Sequence, residues 1–375
     1  MSFRKLTLGI LFAAASLLPG CGAPGIPEPP SLELARPVRD LKAVRKGNEV
    51  RLTWSVPTET TDHQTFRHVG QTQICRAIGS SLSNCSVPAA EVKTESPSAA
   101  ARKSRFHTNS SPEGVASLEA SFTDQLSQNV EMQSPTSNLL YAVSVLNSFG
   151  KSAGLSNQVQ VPSAPVLPAP SSLSASLSAQ GVRLTWIPVE PAQEISGLKY
   201  EYRIYRRDIQ NQRDSIAGDV PVTSEQNPGL LDTGFEWEKT YDYRLTVVTV
   251  VEKATGTEQV EGDDTPPVRV VAHDVFPPAT PTGLQAVFSG PGQEPFIDLV
   301  WTTNTEPDFA SYNVYRHEDG AQPVRVNVDP VKSPAYRDLG VVAGQTYFYS
   351  VSAIDVRGNE SPRSQEAEER VPGDR

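Results

Sequence analysis

Positive charge is in short supply. Lys and Arg number 33 against 43 Asp and Glu, for a net charge of −10. Phosphate binding needs a basic patch, so a nucleic-acid partner is disfavoured. The run Arg102-Lys103-Ser104-Arg105 is too short and isolated to supply one. Catalytic signatures are missing as well. The chain contains no Gly-x-Ser-x-Gly, no phosphate loop and no dinucleotide fingerprint. No catalytic residue can be named, no cofactor is implied, and the reading is of a protein that is not an enzyme. Histidine occurs five times, at His63, His68, His107, His273 and His317, with no His-Glu-x-x-His frame. These read as scattered surface side chains, and no metal ligand set is assigned. Beyond the N-terminal segment no apolar stretch approaches 18 residues, and no long helical stripe appears. What remains is 32 Pro, 25 Gly and many Ser, Thr and Val runs, the composition of an all-β chain rich in turns.

One short block occurs three times. Val50-Arg51-Leu52-Thr53-Trp54, Val182-Arg183-Leu184-Thr185-Trp186 and Ile297-Asp298-Leu299-Val300-Trp301 alternate apolar and other residues and end in Trp. Period two with a terminal indole describes a half-buried strand that feeds a core. Each block follows a Leu-x-Ala element, at Leu41/Ala43, Leu173/Ala175 and Leu284/Ala286. A second strand ends Ile74-Cys75-Arg76, Ile204-Tyr205-Arg206 and Val314-Tyr315-Arg316. A later one reads Leu139-x-Tyr141-x-Val143, Tyr241-x-Tyr243-x-Leu245 and Tyr347-x-Tyr349-x-Val351. Asp232 and Asp338 each precede Tyr241 and Tyr347 by nine residues. Repetition on this scale means three copies of one domain.

The first twenty residues stand apart. Arg4 and Lys5 precede an apolar stretch from Leu6 to Leu18, followed by Leu18-Pro19-Gly20-Cys21. The stretch has the length of a signal segment and is short for a membrane span. Its end resembles a bacterial lipobox. The resemblance implies cleavage before Cys21 and acylation, with palmitate among the usual chains, which gives a lipoprotein held at the cell envelope by its anchor. Gly22 after the cysteine favours the outer membrane. An ordinary signal peptide with a stray cysteine is the alternative. Residues 21–36, with Pro24, Gly25, Pro27, Pro29 and Pro30, read as an extended tether.

Taken together, Pro-x-x-Leu-x-Ala (from Pro170 and Pro281), the strand-ending Trp, Tyr-x-Val-Tyr-Arg and Tyr-x-Tyr-x-Val-x-Ala resemble fibronectin type III domains. The resemblance covers 37–161, 168–273 and 280–372. It implies three tandem seven-strand immunoglobulin-like sandwiches joined by Pro-rich linkers. Trp54, Trp186 and Trp301 are then core, and Tyr241 and Tyr347 resemble tyrosine-corner residues. Leu139 replaces that tyrosine in the first copy. Trp237 is expected in an exposed turn.

Other expectations are local. Cys75 and Cys85 form an even pair, read as a disulfide stapling a hairpin on the outer face, with Cys75 pointing outward. A redox pair is the alternative. The first copy carries an insertion over 86–121, read as disordered or loosely packed. Glu261-Gly262-Asp263-Asp264 reads as a solvated loop, with Ca²⁺ as the alternative. The functional expectation is a non-catalytic binding or spacer module. Its partners are the membrane through Cys21 and an unidentified protein or polysaccharide ligand, with any partner site on the first copy. An accessory subunit of a polysaccharide-processing or secretion assembly is the alternative.

Overall fold

The structure is a computed structural model that describes residues 32–66, 69–93, 118–290 and 292–373. Cys21, the lipobox, His68, His107 and residues 94–117 lie outside the described residues.

The protein is all-β, and its three copies repeat one antiparallel plan. In the first, β1 (Lys42–Lys46), β2 (Glu49–Ser55) and β5 (Glu119–Gln125) make one sheet in the order β1-β2-β5. The other sheet contains β3 (Val69–Ile78), β4 (Ala90–Lys93), β6 (Asn138–Asn147) and β7 (Val159–Pro162), ordered β4-β3-β6-β7. The third repeat splits three and four again. Its β16 (Gln285–Phe288), β17 (Ile297–Val300) and β20 (Ala335–Asp338) form the smaller sheet. The larger one holds β18 (Phe309–Glu318), β19 (Val324–Arg325), β21 (Thr346–Asp355) and β22 (Ala367–Arg370) in the order β19-β18-β21-β22.

The second repeat varies the plan at one strand. Its small sheet comprises β8 (Ser171–Ser178), β9 (Gly181–Ile187) and β12 (Gly229–Asp232). Its large sheet has β10 (Leu198–Asp208), β11 (Arg213–Pro221) and the long β13 (Thr240–Lys253), with two strands on the far side of β13. These are β14 (Gly256–Glu261) and β15 (Val268–Val271), one broken last strand where seven unbroken ones were expected. Pro266 and Pro267 cannot donate to a ladder, which accounts for the break. At Gly262 the backbone passes so close to the Leu167 carbonyl that a Cβ would lie 2.8 Å from it.

Alternation builds each core. In β9 Val182, Leu184 and Trp186 point inward while Arg183 and Thr185 stay exposed. Register carries the pattern across the sheet, with Ile204 opposite Leu245 and Val314 opposite Val351. Trp54, Trp186 and Trp301 are all buried, as their repeated block implied. Trp186 and Trp301 stand edge-on to Tyr202 and Tyr312, with ring centroids 5.2 and 5.1 Å apart. The indole N–H of all three finds no acceptor, a desolvation cost of about 1–3 kcal/mol each that burial of the ring offsets.

One expectation about the connections needs revision. The 86–121 stretch contains β4 and the start of β5, because the first sandwich needs both strands to close its sheets. The proline-rich stretch after Pro162 is packed. Ser163 and Ala164 are fully buried, and Ala164 clusters with Val251 and Val260 on β13 and β14. Among the described residues, Val44–Arg51 and Thr123–Leu139 group with the chain from Gln160 onward as one compact unit, and the remaining described residues form the other. No helix among the described residues is long and apolar enough to cross a membrane.

Candidate functional site

The repeated arginine and aspartate meet inside the sandwich. Arg206 is the last inward position of β10 and lies opposite Tyr243 of β13. Asp232 ends β12 in the other sheet. Arg206 Nη1 donates to both Asp232 oxygens at 2.9 and 2.8 Å, and the Tyr243 hydroxyl donates to Oδ2 at 2.8 Å. Repeat three reproduces this, with Arg316 Nη1 2.7 Å and the Tyr349 hydroxyl 2.8 Å from Asp338 Oδ2. The backbone N–H groups of Gly234 and Gly340 donate to the remaining carboxylate oxygens at 2.9 Å. Burial, then the facing carboxylate, pushes the Tyr243 and Tyr349 hydroxyls well above the usual phenol range. The sequence alone offers Arg206, Asp232 and Tyr243, with Arg316, Asp338 and Tyr349, as repeated residues without joining them; the constant Asp-to-Tyr spacing was the available signal. In repeat one Arg76, Asp124 and Tyr141 occupy the matching strands β3, β5 and β6, with Tyr141 fully buried.

The two corner tyrosines behave as the resemblance implied. The Tyr241 hydroxyl accepts from the Glu236 N–H, and that of Tyr347 from the Val342 N–H, both at 3.0 Å. Repeat one has Leu139 there, fully buried, and a short helix, Gln128–Gln133, in the preceding connection. Cys75 and Cys85 are bonded. Cys75 is buried rather than pointing into solvent. Cys85 sits in the connection between β3 and β4 and draws that connection over the sheet face.

The acidic run after β14 is not freely solvated. Lys46 Nζ lies 2.8 Å from both Glu261 and Asp264, and Glu261 also accepts from the Tyr205 hydroxyl. Arg244 reaches Asp264 at 3.3 Å and stacks over the Tyr205 ring at 4.4 Å. Burial and the Glu261 carboxylate push the Tyr205 hydroxyl up to about 12. A cation site would have to displace Lys46 and Arg244.

A polar cluster links the second and third repeats. Trp237 is half-buried, against the expectation of exposure. It packs between Phe235 and Phe276, with centroids 4.8 and 6.0 Å away. Beside it, Glu238 accepts from Arg357 Nε at 3.1 Å and from the Asp274 N–H at 3.2 Å, and pairs with His273 Nδ1 at 2.8 Å. Arg357 Nη1 reaches Asp274 at 3.4 Å, and Asn359 Nδ2 donates to the Asp274 carbonyl at 3.1 Å. Asp274, Asp308 and Asp355 each bring one oxygen within 4.8 Å of the others, a donor set that a hard cation could use. Arg357 and Asn359 already supply hydrogen bonds to Asp274 and Asp355, so the carboxylate positions have an account without one. Of the other histidines, His63 contacts Arg36 and His317 stacks on Phe348 and pairs with Glu366.

No protein-family model matches the chain, and no curated protein does. Among solved structures the chain is similar to the FN1-FN3 domains of chicken CNTN1, at 14% identity and a TM-score of 0.26, covering 90% of this chain and 99% of that one. It is also similar to a Fn3-like protein from Clostridium thermocellum, at 35% identity and a TM-score of 0.22, covering 26% of this chain and 97% of that one. The fibronectin type III-like fold rests on the strand order and register described above.

Proposed function

We propose that the chain is a lipid-anchored, non-catalytic protein of the cell envelope, in which tandem fibronectin type III-like repeats serve as a binding or spacer module. The observation that carries this reading is where the paired charge goes. Arg206, Asp232, Arg316 and Asp338 are spent inside the sandwiches, and Glu238, Asp274 and Arg357 between two of them. Charged groups that hold a scaffold together suit a protein that positions something. Cys21 supplies the anchor in this reading, and the outer membrane is the proposed address. A protein or polysaccharide partner would use the first repeat, which differs most from the other two.

Cys21→Ser is expected to release the protein from the membrane fraction; equal membrane association of variant and parent would refute the anchor. A pull-down of the membrane-extracted full chain tests the binding reading. The matching variant deletes 95–116, which spares β4 and β5. Lost capture would map binding to repeat one, and unchanged capture would remove that assignment. Recovery of polysaccharide-processing or secretion subunits would favour the accessory role.

A further inference from the structure

The turn that precedes the corner tyrosine differs between repeats two and three in an informative way. Counting back from Tyr241 and Tyr347, Glu238 and Gly344 occupy the same position. Both are in the left-handed region, at φ +64° and +89°. That region suits glycine, and a residue with a Cβ is strained there. Repeat three has the residue the backbone asks for. Repeat two holds a glutamate in the same conformation. Strain of this kind persists where the surroundings hold it in place and something uses it.

What uses it is visible in the contacts. The Glu238 carboxylate faces away from its own sandwich. Its partners are the His273 ring and the Asp274 N–H on the connecting segment, and the Arg357 guanidinium in the turn after β21 of repeat three. Arg357 then spans to Asp274, and Asn359 ties the Asp274 carbonyl to the same turn. Trp237, beside the strained residue, closes the apolar side against Phe276. Repeat three has Ala343 and Gly344 at these two places, so it carries neither the ring nor the acid. The connecting segment is fixed from the other side too. Ala279 donates to Glu306 Oε1 at 2.7 Å and accepts from Asn304 Nδ2 at 2.8 Å.

We infer that Glu238 and Arg357 form a latch that makes the second and third repeats a single rigid element, and that the strained backbone of Glu238 is retained for that purpose. Neighbouring domains move against one another unless something prevents it. Here the restraint is a specific ionic contact carried by one residue from each repeat. This goes beyond the spacer reading, because it names where the spacer is stiff, and it holds whether or not Cys21 is acylated.

The test uses the full chain with Cys21→Ser, labelled with spin probes at Ser176→Cys and Gln285→Cys, both exposed. Pulsed dipolar spectroscopy then reads the distance distribution between repeats two and three. The parent is expected to give one narrow distribution. Glu238→Gly and Arg357→Ala should each broaden it by roughly twofold, and the double variant should be no broader than either. Glu238→Gly separates latch from scaffold, because glycine relieves the strain. The calorimetric melting temperature of repeat two should stay level or rise while the distribution widens. A parent distribution as broad as the variants would overturn the inference. So would an unchanged distribution in Glu238→Gly with repeat two folded.

Discussion

Asp338 ends β20 with its carboxylate inside the third sandwich, where a lone charge could not stay. Arg316, the Tyr349 hydroxyl and the Gly340 N–H hold it there. The partners are unequal, and substitution separates them. Tyr349→Phe removes one donor from an acceptor that keeps two others, and should cost about 1 kcal/mol. Asp338→Ala leaves a buried hydroxyl without its acceptor and the guanidinium with the Gly340 carbonyl in place of its counter-ion, and should cost about 3–5 kcal/mol. Calorimetry on the full chain should record both losses in the transition of repeat three alone. Equal losses would mean that the tyrosine, and not the aspartate, organises the cluster. The same pair of experiments at Asp232 and Tyr243 should give the same ranking, since the geometry recurs there.

At the level of elements, the connection into β6, β13 and β21 is where the copies diverge. Repeats two and three turn tightly beneath a tyrosine hydroxyl. Repeat one inserts a short helix, and Glu131 within it reaches Arg45 at 2.5 Å in a buried pair. The disulfide is the other device peculiar to this repeat. It closes a loop of ten residues, for which chain entropy gives about 3 kcal/mol. Replacing both cysteines by alanine should lower the repeat-one transition by about that amount and leave the others in place. A shift shared by all three transitions would contradict its local role. Much of this level was legible beforehand. Period two located the Trp-ending strands, and the spacing of Tyr241 and Tyr347 fixed their corners. The burial of Cys75 was not foreseen, because alternation tells which face a residue takes and not whether a later loop covers it. Trp237 was misread for the same reason: its cover, Phe276, belongs to the connecting segment. The Glu238–Arg357 contact joins residues 119 positions apart, and no local pattern announces a pair at that range.

For the whole molecule the acidic balance acquires a structural meaning. Of the excess carboxylates, Glu261 is among those drawn into the fold. Burial raises its pKa, but Lys46, Tyr205 and Arg203 outweigh that and hold it below the usual range. A carboxyl group depressed in the folded state adds stability above its ordinary pKa of about 4.3 and loses it as pH falls through the folded value. The contribution of Glu261 to stability should therefore be present above about pH 4.3 and be lost on acidification below it. Lys46→Met should move the Glu261 titration upward when followed by carboxyl NMR; an unmoved titration would show that Lys46 is not its main partner. The dry, acceptor-free indoles of Trp54, Trp186 and Trp301 have a consequence of another kind. With one such ring at the centre of each repeat, the chain contains three internal optical probes that emit toward the blue while folded and shift red on exposure to water. The fourth, Trp237, is half-buried beside the latch, so its emission would report the parting of two repeats that are themselves still intact.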